Sequence, residues 1–192
     1  MGFLKNILSI IGAIFLIGAI YGYSKYDIGT KLDQVSKLDP KAMSLYMAMF
    51  EKVLATGDSA QGMVRKVKIA DDVETADVID AIKSVAGEEN LLVVNSSLTS
   101  NGKDGARYIR LMSFCNPRIA KIMANYSIAY TAFMPCRIAI VSDDEGNRWL
   151  MTMDMDMMLH GGKTLPPELL KEAMKVKTAM YKMMDLGAQG DF

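Results

Sequence analysis

The chain is poor in histidine and cysteine, with one His and two Cys in 192 residues. A three-histidine zinc site is excluded, and so is a four-cysteine cluster within one chain. Net charge is also missing, since 22 Lys plus Arg balance 22 Asp plus Glu. A nucleic-acid binder normally shows a basic excess, so nucleic acid is not an expected partner. The chain contains no G-x-S-x-G, no P-loop, no G-x-G-x-x-G and no internal repeat. The commonest sequence signatures of hydrolase, nucleotide and dinucleotide chemistry are therefore absent. Hydrophobic residues make up 51% and charged residues 23%, which suits a packed core rather than a disordered chain. The length fits one domain with an appendage. The outlier is methionine, at 17 residues.

The appendage is amino-terminal. Ile7 to Tyr23 reads ILSIIGAIFLIGAIYGY without a charge. As a helix it spans about 26 Å, close to the hydrocarbon thickness of a bilayer. Tyr21, Tyr23 and Tyr26 stand at its far end, where interfacial aromatics belong. A cleaved signal would have an apolar region of about 7–15 residues and then a small-residue site. Here Tyr-Gly-Tyr-Ser-Lys-Tyr follows instead. No face of the segment is polar, which argues against a soluble helix. The expectation is an uncleaved signal anchor, spanning about Leu4 to Tyr23. Lys and Arg counts on the two sides do not set its direction. A short tail before a long domain does, and it places the domain in the periplasm of a bacterium, beyond the inner membrane.

The expected division is 1–26 anchor, 27–60 linker and amphipathic Met-rich helix, 61–160 central domain, and 161–192 carboxy-terminal helix and tail. Asp27 to Leu38 reads as linker. Asp39-Pro40 reads as a helix start, followed by Met43, Met47, Phe50 and Leu54 at helical spacing, with Gly57 as the stop. Strands are expected at Met63–Ala70, Leu91–Leu98, Arg107–Phe114, Arg137–Val141 and Arg148–Met155. A helix is expected from about Val73 to Ala86, capped by Asp71-Asp72 and ended by Gly87. Asn101-Gly102, Asp104-Gly105 and Gly146 mark turns. Asn116-Pro117 opens a short helix, and Pro166-Pro167 opens a long one that ends at Gly187. The class is α+β, a mainly antiparallel sheet with packed helices, preceded by one transmembrane helix.

Two constellations could carry chemistry. Cys115-Asn116-Pro117 and Met134-Pro135-Cys136 each put a Cys beside a Pro at an element junction. Outside the cytoplasm the pair suits a disulfide, which would close about 20 residues and contribute roughly 3 kcal/mol on the chain-entropy model. Free structural thiols and a redox or metal site are the other readings. Proximity to a helix amino terminus would lower the Cys115 thiol pKa. The second constellation is MTMDMDMMLH, with Met151, Met153, Met155, Met157, Met158 and His160. Thioethers and imidazole suit Cu(I), and Met155, Met157, Met158 and His160 are the candidate ligands. On a strand, same-face neighbours stand about 6.6 Å apart, too far for one ion, so packing is the leading reading. The acidic cluster Asp71, Asp72, Glu74 and Asp77 reads as helix capping.

Three stretches, ADVIDAIKSVAGEENLLVV, SFCNPRIAKIM and MPCRIAIVSDDEGNRWL, resemble the family named domain of unknown function 302. The resemblance covers about Met63 to Met157. It implies a compact α+β domain, supplies no catalytic residues, and treats Cys115 and Cys136 as a paired feature. The expected function is that of a non-catalytic binding or accessory subunit of a membrane complex. Its partners would be lipid and other membrane-protein subunits, met through Gly12, Gly18, Met43, Met47 and Phe50. No cofactor is expected under that reading. The alternative is a periplasmic redox or copper-handling protein using Cys115, Cys136 and the Met cluster.

Overall fold

A computed structural model describes residues 2–103 and 105–191, so the Asp104 half of one expected turn and the Phe192 end of the tail lie outside it. The chain divides into two units, 1–39 and 40–192. The first holds helix α1 (Gly2–Lys25) and helix α2 (Ile28–Ser36). Within α1, Lys5–Lys25 is long and apolar enough to cross a membrane, with a mean hydropathy of 2.0 and none of its apolar window buried. The stretch expected as linker is thus partly helical, with Thr30 Oγ1 donating to Asp27 Oδ1 at its start (2.9 Å).

The second unit is a five-stranded sheet with helices against one face. Its elements in chain order are α3 (Ala42–Thr56), α4 (Ser59–Met63), β1 (Val64–Lys68), α5 (Thr75–Glu88), β2 (Leu92–Asn101), β3 (Tyr108–Cys115), α6 (Pro117–Tyr126), a 3-10 turn (Ile128–Phe133), β4 (Cys136–Ser142), β5 (Arg148–Met153), α7 (Met155–His160) and α8 (Pro167–Gly187). The sheet order is β1-β5-β4-β3-β2, antiparallel throughout. Strand alternation turns Met112 and Phe114 of β3, Ile138 and Ile140 of β4 and Leu150 of β5 to one face. There they meet Val78, Ile82 and Val85 of α5 and Met180, Met183 and Met184 of α8, all buried. A second cluster joins Ile119 and Met123 of α6 to Leu159 and to Leu165, Leu169 and Ala173 at the start of α8.

Local chemistry explains most boundaries and corrects several. Asn116 caps α6 as its pattern suggests: its Oδ1 accepts from the Ile119 amide at 3.1 Å, with Pro117 in the first turn. Gly57 ends α3 in the left-handed conformation (φ 67°). α3 begins at Ala42, two residues later than Asp39-Pro40 suggests. Asp71 and Asp72 do not cap α5, whose N-cap is Glu74 with no side-chain hydrogen bond. Gly87 lies inside α5, and Asn90 (φ 57°) makes the left-handed turn instead.

Gly187 is also not a conventional stop. A Cβ there would meet Ile82 Cγ1 at 2.6 Å, so the glycine lets α8 close on α5. Gly187→Ala should therefore force the two helices apart. We expect a loss of about 1–3 kcal/mol in denaturant unfolding, as for other overpacked cores, whereas Gly146→Ala, at a turn with φ 84° and open space, should cost only its backbone strain.

Candidate functional site

Two strand ends, the 3-10 turn and the helices α6, α7 and α8 border a small, partly open cavity of about 50 Å³. Cys115 is the last residue of β3 and Cys136 the first of β4. Phe114 pairs with Cys136 across the ladder, so Cys115 is one residue beyond that rung. Both cysteines line the cavity, and both are free thiols. The Met134–Pro135 peptide that leads into β4 is cis. Asn116, next to Cys115, donates from Nδ2 to the Asn90 carbonyl at 3.2 Å and so ties the start of α6 to the turn after α5. Burial pushes the Cys136 thiol up to about 11, with a smaller contribution from neighbouring Cys115. A thiol of that kind is protonated at neutral pH and is not a standing nucleophile.

The methionine run is not one strand face. β5 stops at Met153, and Asp154 begins α7 by accepting the Asp156 amide on Oδ1 (3.0 Å). The helical turn sends Met155 and Met158, three residues apart, to the cysteine cavity. Met157 does not border that cavity; it lines a neighbouring hollow with Tyr46, Tyr126 and Gly161, which Met158 borders as well. His160 is buried at the end of α7, outside the cavity lining. The expected ligand set Met155, Met157, Met158 and His160 is thus split by the helix. The cause is the Asp154 cap, which outweighs the alternation of the preceding strand. Among the described residues no group of three or more His, Cys, Asp or Glu side chains could hold a metal ion.

The candidate interface residues are open to solvent. On α3, Met43, Met47, Phe50 and Leu54 are 49, 52, 53 and 69% exposed. They repeat at four, three and four residues and form one stripe. Ala42, Leu45, Met49 and Val53 form the sheltered stripe on another side. α3 therefore has an apolar face for its own domain and a second one left uncovered. In α1, a Cβ on Gly12 or Gly18 would meet nothing within 4 Å. Gly12 and Gly18 are six residues apart and lie on different faces, whereas Gly18 and Gly22 have the four-residue spacing of close-packing membrane helices.

A polar cluster beside β1 was not evident in the sequence. Tyr181 of α8 accepts the Met155 amide (3.1 Å) and donates to Asp154 Oδ1 (3.2 Å). Lys177 pairs with Asp156 at 2.5 Å, and Arg65 of β1 pairs with Asp185 at 2.8 Å while stacking 4.4 Å over the Tyr181 ring. The only sequence signal was the helical spacing of Lys177, Tyr181 and Asp185, four residues apart and so on one face of α8. The cluster fastens α7 and β1 to α8. Burial, then the Asp154 charge, pushes the Tyr181 hydroxyl up to about 12.

Both environments have measurable consequences. Raising a thiol from 9 to about 11 lowers its thiolate fraction at pH 8 by roughly 100-fold, so native Cys136 should alkylate about that much more slowly than in the unfolded chain. Equal rates would show an exposed, unperturbed thiol. Tyr181 is protonated in both states below about pH 10. Above that the unfolded phenol ionises first, so its contribution to stability should fall between about pH 10 and 12. Tyr181→Phe should flatten that alkaline decline and cost about 1 kcal/mol at pH 7 through the lost hydrogen bonds.

No curated protein matches the chain. The crystal structure of an uncharacterized conserved protein DUF302 from Bacillus stearothermophilus is similar, at 16% identity and a TM-score of 0.50, covering 64% of this chain and 96% of that one. At that identity the likeness establishes the fold alone. The family described as Domain of unknown function DUF302 matches residues 66–186, most of the sheet together with α5, α6, α7 and nearly all of α8. The chain belongs to the DUF302 family.

Proposed function

We propose that the protein is a single-pass bacterial inner-membrane protein whose DUF302 domain acts in the periplasm as a non-catalytic accessory subunit of a membrane complex. The uncovered stripe on α3 is the observation that carries this reading. A helix that is apolar on two sides normally has both sides covered. Here one side packs on the domain, and Met43, Met47, Phe50 and Leu54 remain exposed. Their spacing is that of a helix that lies in an apolar groove of a partner. Methionine suits such a surface because its thioether chain adapts to the partner's shape. α3 begins at Ala42, shortly after the apolar helix ends at Lys25, so another subunit of the same membrane is the fitting occupant. Gly18 and Gly22 on α1 would allow a neighbouring span to approach closely.

Mild-detergent extraction from native membranes tests the reading. The chain should co-purify with defined membrane subunits at fixed stoichiometry. Met47→Ser with Phe50→Ser removes two central anchors, each worth about 2 kcal/mol if they are hot spots, and should cut co-purification at least tenfold. Because both side chains are exposed, the thermal midpoint of the domain should move little. A chain that runs as an isolated monomer, with no change in the double variant, would overturn the proposal. A periplasm-active reporter fused to the carboxy terminus should give signal, and a cytoplasm-active one should not.

A further inference from the structure

We propose that the cavity between β3, β4, α6 and α7 is a soft-metal site that takes one Cu(I) ion. Six sulfur-bearing side chains line it: Cys115, Cys136, Met123, Met134, Met155 and Met158. They come from five places in the chain, the ends of two strands, α6, the segment before β4, and α7. The proposal goes beyond the accessory role and concerns a different part of the domain from the α3 stripe.

The lining decides the ligand class. Among the described residues, no Lys, Arg, His, Asp or Glu borders the cavity. A hard cation would have no carboxylate and an anion no counter-charge, so both are disfavoured in an apolar space. The polar groups that do border it are largely engaged: Asn116 Oδ1 accepts the Ile119 amide, its Nδ2 donates to Asn90, and the Tyr130 hydroxyl donates to the Met158 carbonyl at 3.4 Å. A buried water needs two to four polar partners and would find few here. Thiolate and thioether sulfur remain, and they select Cu(I) over Mg, Ca or Mn.

Charge balance fixes the form of the complex. Cu(I) brings one positive charge. One cysteine S–H bond breaks, one Cu–S bond forms, and the proton leaves to solvent. The ion and a single thiolate are then neutral together, and thioethers complete the shell without adding charge. No electron is transferred. Met155 and Met158 are suited as those thioethers because their three-residue spacing on α7 puts them on one face. This set differs from a ligand set read along the Met run, since Met157 and His160 fall outside it.

The test uses the full chain in detergent, reduced and without oxygen, titrated with Cu(I) against a chromophoric Cu(I) chelator. One copper per chain should be withdrawn from the chelator, with only sulfur neighbours in X-ray absorption. Cys115→Ser with Cys136→Ser should abolish uptake. Met155→Leu with Met158→Leu, which keeps volume and fold, should weaken it at least about tenfold. Met157→Leu should leave it unchanged. The proposal fails if the native chain takes up no copper, if uptake survives in the folded double-serine variant, or if Met157→Leu costs as much as the Met155 and Met158 pair. Nitrogen or oxygen neighbours at the metal would overturn it as well. Should the double-serine variant not fold, the leucine pair alone decides.

Discussion

The packing of α5 and α8 across one face of the sheet is the constraint on which the domain rests. Met180, Met183 and Met184 from α8 interlock with Ile138, Ile140 and Leu150, while Ile82 of α5 meets Gly187 at close range. The contact sets more than stability. α8 is the last helix, and α7 reaches it from the end of β5. Fixing α8 therefore fixes where the turn after β5 must go. Tyr181 and Lys177 then hold α7 from the other side, through Asp154 and Asp156. The cavity wall formed by Met155 and Met158 follows from that arrangement.

Methionine serves several purposes in this chain. In the core, Met112, Met180, Met183 and Met184 are fully buried and fill irregular gaps between sheet and helices. Around the cavity, Met123, Met134, Met155 and Met158 surround unfilled space beside two thiols. On α3, Met43 and Met47 face solvent. The same flexible thioether is core packing in the first case, the lining of a cavity in the second and an exposed surface in the third. Burial and neighbours separate these cases, and composition does not.

The family domain accounts for residues 66–186. The apolar helix and α3 with its second apolar stripe precede it. The two parts suit different tasks. The sheet and its helices form a packed body with a small sulfur-lined cavity, and the amino-terminal region carries a helix long and apolar enough to cross a membrane and an exposed apolar stripe.

The apolar span, the α+β class, the antiparallel hairpins and the helix starts at Asn116-Pro117 and Pro166-Pro167 were all legible along the chain. Each of these rests on interactions between near neighbours: an uncharged run, strand alternation, a side-chain cap, or a proline at a first turn. The sequence also marked Cys115 and Cys136 as a pair. Which methionines join them is visible only in the folded chain, where a local cap meets the long-range placement of α7 against α8. Asp154 ends β5 and begins α7, and that one cap turns Met155 and Met158 toward the thiols and Met157 away. The role of Gly187 was equally hidden, because it depends on Ile82, more than a hundred residues earlier in the chain. The Arg65, Tyr181 and Asp154 cluster joins three elements that are distant in sequence. Long-range packing leaves no periodicity and no local motif, so such contacts exist only once the chain has folded.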